Sequence, residues 1–241
     1  MRNILIPTTL QADTISAVKT AVRHASGHSC HIVLVQVCDV PDTYSASYLL
    51  QTIKPGYTKA QAEVLSRCKA VVANEPDCTL QVHMQYSISA PLLKNIIDHK
   101  AIGLIILSQS YKQEKLKIHR YFCRLVLNSR CPVLHLGHNT SGQPLTNALY
   151  LEQETEGLAL HQVQARLNGL FDLNIVSRAT VTREQNPQDL APLLAEAIFK
   201  NDIDLVVETR RTQKLTLKKK PIAGVNEALG LPVLSLHRQL V

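Results

Sequence analysis

The widest chemical range in this chain of 241 residues belongs to its six cysteines and ten histidines. Thiolate and imidazole together ligate zinc, and a close pair of thiols can exchange with a disulfide. Cys30, Cys38, Cys68, Cys78, Cys123 and Cys131 form no C-x-x-C pair, and most lie in apolar stretches such as HIVLVQVC and RCPVLHL. The plain expectation is buried free thiols, with a metal site or redox pair as the alternative. His24, His28 and His31 fall at a helix end and a strand start. His24 and His28 share a face only if a helix runs through Gly27, which glycine disfavours. His135 and His138 bracket the end of one expected strand, and His237 follows its later counterpart. At the carboxyl ends of parallel strands such residues border a crevice. A structural or surface role is the plainer reading for all of them.

Hydrolytic and phosphate-binding signatures are absent. There is no G-x-S-x-G elbow, no H-E-x-x-H and no P-loop. Ser108 and Ser110 sit where a strand ends, as pocket wall rather than nucleophile, and no general base accompanies them. Two basic groups stand out, Arg210-Arg211 and Lys218-Lys219-Lys220 before Pro221. The proline suits the first turn of a helix. Lysines there gain nothing from the helix dipole, so the group reads as a solvated basic loop or as part of an anion site.

Whole-chain numbers narrow the classes further. Hydrophobic residues make up 45% and charged residues 19%, a soluble folded composition. Trp is absent and there are 3 Phe, so the core must be built from Leu, Ile, Val and Ala. A net charge of +7 without interleaved aromatics or a reader motif is a weak signal for nucleic acid, which is not expected as a partner. The opening MRNILIPTTL lacks a signal-peptide pattern, and no apolar run is long enough to span a membrane. A cytoplasmic protein is the resulting expectation.

The elements that must position these residues can be read from periodicity. Asn3 to Pro7 predicts a short buried strand, and Ala12 to Ala25 a helix with Ile15, Val18, Val22 and Ala25 on one face. His31 to Cys38 is a second strand. Asp39 to Gly56 reads as a loop. Within Pro41 to Tyr57, three Tyr and a Leu-Leu pair suit a packed loop, a lid or a contact surface. Tyr57 to Ala73 predicts a helix, Leu80 to Tyr86 a strand, Ala90 to His99 a helix, Ile102 to Leu107 a strand, Arg120 to Asn128 a helix and Pro132 to Leu136 a strand. Strands with few polar positions alternating with helices predict a parallel sheet covered on both faces.

Gly137 to Thr146 then reads as a linker, after which the pattern restarts. Ala148 to Leu151, Leu173 to Val181, Leu205 to Val207 and Pro232 to Leu236 are expected strands. Leu158 to Leu170, Leu190 to Lys200 and Ile222 to Leu229 are expected helices. Ala90-Pro91-Leu92-Leu93 recurs as Ala191-Pro192-Leu193-Leu194, and Leu104-Ile105-Ile106 as Leu205-Val206-Val207, both 101 positions on. Pro132-Val133-Leu134 recurs as Pro232-Val233-Leu234, 100 positions on. This is an internal repeat whose second copy is shorter, with one strand–helix pair missing before Leu190. The division is 1–138 for a complete unit, 139–146 for a linker and 147–241 for a shortened unit. The missing pair should leave apolar surface on the second unit, to be covered by the first unit or by a second chain.

Asn3-Ile-Leu-Ile-Pro7, HIVLVQV, Ile102-Gly-Leu-Ile-Ile-Leu107 and Cys131-Pro-Val-Leu134 resemble the strands of the universal stress protein family. Asp202-Ile-Asp-Leu-Val-Val207 and Leu231-Pro-Val-Leu234 repeat the likeness. The resemblance implies two tandem open parallel-sheet units of the α/β, adenine nucleotide alpha hydrolase-like fold, packed as a pseudo-dimer. ATP-binding members of that family use an Asp after the first strand and a Gly-x-x-Gly…Gly-Ser/Thr run after the fourth, where glycines let backbone N–H groups approach phosphates. Here the Asp position holds Thr9. The glycine run matches Ser108, Tyr111, His119 and Arg120. Neither Tyr111 nor His119 can replace glycine by shape. Thr9, Ser108, Gln109, His119 and Arg120 are therefore positions of a degenerate crevice in the first unit, and Arg210, Lys219 and Lys220 of one in the second.

The resemblance implies a non-enzymatic stress-response or regulatory binding protein. It is not expected to hold ATP in the usual manner, no cofactor is expected, and a protein partner or self-association is. The competing reading is a sensor of a nucleotide or other small anion at a divergent site. A hydrolase of nucleotide phosphates finds no placed nucleophile and base.

Overall fold

The computed structural model describes residues 3–25, 27–39, 56–137, 145–153, 160–168, 171, 173–181, 187–211 and 230–238. Apolar runs without alternation become strands buried on both faces: β1 (Asn3–Pro7), β2 (Cys30–Cys38) and β4 (Ile102–Leu107), the last buried at every residue. The other strands are β3 (Cys78–Tyr86), β5 (Val133–His135), β6 (Asn147–Gln153), β7 (Asn174–Val181), β8 (Leu205–Arg210) and β9 (Val233–His237). Between them run α1 (Thr14–Ala25), α2 (Lys59–Ala73), α3 (Ala90–His99), α4 (Gln109–Lys112), α5 (Lys117–Asn128), α6 (Leu160–Asn168) and α7 (Pro187–Lys200).

Local chemistry sets the helix ends. Ser89 caps α3 by accepting from the Leu92 amide, and Pro91 occupies the first turn, where its missing N–H costs nothing. Thr58 and Gln61 close a capping box on α2. α1 stops before Gly27, which adopts φ +79°, so His24 and His28 are not on one continuous helix. α4 is a single turn that periodicity does not reveal.

The nine strands form one sheet in the order β3-β2-β1-β4-β5-β9-β8-β6-β7. The first five are parallel to each other, and so are the last four. The two sets join through an antiparallel β5–β9 pair, with Val133 opposite Ser235, Leu134 opposite Leu234 and His135 opposite Val233. Outward from this junction the windings are β5-β4-β1-β2-β3 and β9-β8-β6-β7, the same path less one strand. The strand without a described counterpart is β3. Its absence leaves β7 at the sheet edge, paired only to β6 among the described residues, with Val176 43% exposed. The strands of the first unit lie at the far end of the sheet from that edge. Of the two covers expected for it, the first unit or a second chain, the described residues of the first unit do not supply one there.

The backbone repeats in finer detail too. Ala101 after α3 and Asp202 after α7 are both left-handed, at φ +49° and +46°. The Asn3 side chain donates to the Lys100 carbonyl at 2.7 Å, and Asn147 donates to that of Asp202 at 3.2 Å.

Two layers of helices cover the sheet. α1, α2 and α6 pack on one face over a single apolar cluster that runs from Ile4, Val18 and Leu34 through Leu134 and Leu234 to Tyr150, Leu167 and Phe171. The other face carries two clusters. One, around Leu5, Ile105, Tyr111 and Phe122, lies under α3, α4 and α5; the other, around Leu149, Leu194 and Val206, lies under α7. Among the described residues no helix is long and apolar enough to cross a membrane.

Long-range contacts tie the two halves. Arg210 at the end of β8 donates from Nη1 to the carbonyls of Leu127 (2.5 Å) and Ser129 (2.8 Å), and from Nη2 to that of Cys131 (2.5 Å). These are carbonyls at and just past the end of α5, where a cation suits both the orphan acceptors and the helix dipole. Burial lowers the Arg210 pKa to about 10, which still leaves it charged at neutral pH. The His24 ring lies 4.2 Å from that of Phe171. Gly137 passes so close to Gly230 that a Cβ would run into the Gly230 carbonyl.

Two substitutions test this seam. Gly137→Ala should destabilise the chain by about 1–3 kcal/mol through overpacking against backbone. Arg210→Ala should cost about 2–3 kcal/mol by removing a charged donor set, with Arg210→Lys recovering only part because an ammonium cannot fork. Urea unfolding of the two variants beside the parent measures both, and unchanged midpoints would show that the seam contributes little.

Candidate functional site

Of the crevice positions named from the sequence, Thr9, Ser108 and Gln109 gather at the carboxyl ends of β1 and β4, where polar ties lock the surrounding segments together. Asp13, in the turn before α1, accepts from the Ser110 amide at 2.8 Å and from its hydroxyl at 2.5 Å. Thr9 donates to Glu114 at 2.7 Å, and Gln61 of α2 donates to the Thr9 carbonyl at 3.2 Å. Thr8, buried, bonds Thr14 and accepts from the Leu10 amide. Asp13 and Glu114 therefore belong to this site although sequence reading did not select them. No motif points to them, since each meets its partner only when β1 and β4 are adjacent.

Ser108 is buried and caps α4, accepting from the Tyr111 amide at 3.4 Å. Gln109 opens the turn, half-buried. The following amides are engaged as well. Lys112 donates to the Ser108 carbonyl, Gln113 to those of Gln109 and Ser110, and Glu114 to that of Tyr111.

Tyr111 is 1% exposed and His119 6%. Both point into the core under α5, where their rings meet edge to face at 5.4 Å and the Tyr111 hydroxyl lies 3.2 Å from His119 Nδ1. Phe122 closes the group at 6.3 Å. Burial pushes the Tyr111 phenol far up, holds His119 below its usual value and drives the nearby Cys123 thiol to about 12, so all three are neutral at physiological pH. Arg120 is exposed on the outer side of α5, away from the crevice. Arg210 spends its fork on the seam carbonyls and does not line a crevice. Lys219 and Lys220 lie outside the described residues, as do the expected helix Ile222 to Leu229, His138, most of the Pro41–Tyr57 stretch and most of the linker.

The second set of strands carries a different cluster. Glu152 at the end of β6 is 4% exposed and pairs with Arg178 of β7, whose Nε donates to Glu152 Oε2 at 2.8 Å. The other carboxylate oxygen, Oε1, is buried with no hydrogen-bond partner among the described residues. Tyr150, fully buried and level with Arg178 across the β6–β7 ladder, lies in the same field. Burial pushes its phenol up, and the neighbouring Thr209, Arg238 and Arg178 oppose that. Sequence reading ends this strand at Leu151 and selects neither Glu152 nor its partners. A register shift in the β6–β7 ladder between Ala148 and Leu149 breaks simple alternation, so Ile175 packs on the same face as Tyr150 while Ala179 packs on the other.

The six cysteines are thiols, all buried or half-buried. Burial raises Cys30 and Cys68 to about 11. Cys30 and Cys78 are level neighbours on β2 and β3. His31 bonds Thr79 and Gln81 on the outer strand. Among the described residues no three His, Cys, Asp or Glu groups could hold a metal ion.

Comparison with solved structures gives this arrangement its relatives. The chain aligns over 98% of its length with a universal stress protein from Archaeoglobus fulgidus DSM 4304, of which 96% is covered, at 11% identity and a TM-score of 0.57. The fold is that of the universal stress proteins. A functionally unknown protein from Pseudomonas aeruginosa PAO1 is similar over 98% of this chain and 92% of its own, at 12% identity and a TM-score of 0.52. No protein-family model matches the chain, and no curated protein matches it. At such identities the likeness carries the universal stress fold and not its ligand chemistry, which must be argued from the side chains above.

Buried histidines make the fold sensitive to acid. Burial lowers His24 to about 4. Burial, with the cations Lys112 and Arg210 nearby, lowers His135 to about 3. His119 and His237 shift the same way. Each folded-state value lies below the unfolded one, so the unfolded chain binds more protons, and stability is complete above about pH 6.5 and is lost as pH falls toward 4. His24→Phe should remove its share, about 2 kcal/mol of the loss between pH 7 and 4.5. Urea midpoints across that range check it, and an unchanged slope would overturn the assignment.

Proposed function

We propose that this chain is a member of the universal stress protein family that acts by binding rather than catalysis. It would be a cytoplasmic stress-response or regulatory module whose two tandem units pack as an internal pseudo-dimer, and whose first crevice does not hold ATP in the family's usual manner. One observation carries the reading of the crevice. The amides from Ser110 to Glu114, the segment whose backbone would have to cradle phosphates, all donate within the chain. A phosphate would have to displace these bonds and the Asp13 carboxylate that holds Ser110 by two of its groups, and a carboxylate at that place repels an anion. Tyr111 and His119, sunk into the core, further tie the segment down. The pseudo-dimer reading draws on the two like-wound strand sets meeting at Leu134 and Leu234, where the repeated Pro-Val-Leu strings pair with each other.

A second reading has an observation of its own. β6 lies between β7 and β8, the point where strand order reverses and α/β sheets bind ligands. Arg178 and Arg238 lie near Tyr150 there, around the buried Glu152. This favours a small anionic ligand, such as a phosphate or nucleotide, in the second unit.

Titration calorimetry of the intact chain with ATP, ADP and inorganic phosphate tests both. No saturable ATP binding is expected at the first crevice. Binding of phosphate or nucleotide that disappears in Arg178→Ala would establish the second reading. ATP binding that survives Arg178→Ala but is lost in Ser110→Trp would sink the first. ATP turnover clearly above a blank would sink the non-enzymatic assignment.

A further inference from the structure

The longest stretch of chain without a carboxylate runs from Lys115 to Leu151. It contains α5, and α5 turns its basic residues outward. Lys115, Lys117, Arg120, Arg124 and Arg130 are all exposed, and none is in an ion pair among the described residues. The buried side of the helix is formed by His119, Phe122, Leu125 and Val126. At about 100° per residue, Leu116, Lys117, Arg120, Arg124 and Leu127 fall within roughly one quarter to one third of the circumference, opposite that core. The three cations follow one another along the helix at about 4.5 and 6 Å of rise.

Two features set this stripe apart from an ordinary solvated face. The first is that large apolar side chains border the cations at both ends. Leu116 is 58% exposed and Leu127 37%. The second is rigidity. Arg124 lies over the Tyr121 ring at 5.8 Å, and Arg210 grips the Leu127 and Ser129 carbonyls at the end of the helix. Arginine and tyrosine held in place, with leucine beside them, form the composition of a protein-binding surface. Phosphates alone would leave both leucines in water. An acidic polypeptide satisfies the whole stripe, with carboxylates meeting the arginine forks and apolar side chains covering the leucines.

We propose that the outward face of α5 is a docking surface for an acidic protein segment carrying apolar side chains on either side of its carboxylates. This does not depend on the reading of either crevice.

Fluorescence anisotropy on the full chain tests it with a labelled peptide of about four helical turns, glutamates through its middle and a leucine near each end. Saturable binding is expected, weakened ~tenfold or more by the pair Arg120→Glu and Arg124→Glu. The pair Leu116→Ser and Leu127→Ser should weaken it roughly threefold or more. Lys94→Glu, a single charge reversal on α3, should leave it unchanged. All sites are exposed, so melting temperatures serve as the check that the variants fold. Absence of peptide binding overturns the proposal, as does binding indifferent to the Arg120 and Arg124 reversals. Duplex DNA or phosphatidylserine vesicles bound more tightly than the peptide, with the leucine changes silent, would overturn it in favour of a general polyanion surface.

Discussion

The short antiparallel pair of β5 and β9 is the contact on which the rest of the molecule depends. Each strand set alone would end in an open edge with unpaired backbone groups and an uncovered core. Joining them places Leu134 against Leu234, both fully buried, and lets one apolar layer run beneath α1 and α6 alike. Three residues of ladder are a small contact, and so the seam is reinforced from outside the sheet. Arg210 reaches from β8 to the end of α5, and Gly137 and Gly230 let two backbones pass where a side chain would not fit. A structure built this way should behave as one cooperative unit, because neither half covers its own inner edge.

From that junction the same winding runs outward twice, yet the two sets of strand ends carry different chemistry. In the first, Thr9, Asp13, Ser110 and Glu114 bond to one another across the crevice, and Tyr111 with His119 anchors the turn below it. In the second, Glu152 and Arg178 form a pair beside a buried tyrosine, with one carboxylate oxygen unpartnered among the described residues. Removing a charge from water is costly unless it is paired and fully bonded. A buried carboxylate with an oxygen unpaired among the described residues is therefore a natural place to look for chemistry, whereas carboxylates whose bonds close on the chain itself are a natural place for structure. Among the described residues the second set has no counterpart of β3, a further difference that leaves β7 paired only to β6.

Much of this was legible before any coordinates. α3 and β4 fall at the boundaries read from the sequence, because Ser89 and Pro91 mark a helix start and Ile102 to Leu107 is an unbroken apolar run. The parallel α/β fold followed from the alternation of such runs with helices. α4 was not legible, since four residues carry no period. Nor was the role of Arg210, which in sequence looks like one half of a basic doublet.

The reason lies in separation along the chain. Helix caps and strand patterns are decided by neighbours a few residues away, so composition and spacing determine them. Arg210 meets carbonyls 79 to 83 residues distant, and Asp13 meets Ser110 across 97. Which side chains are spent on the chain itself, and which are left facing outward as on α5, is decided only when the sheet brings those distant segments together. The sequence by itself determined the elements and their order. The tertiary structure alone decided where each polar group directs its bonds.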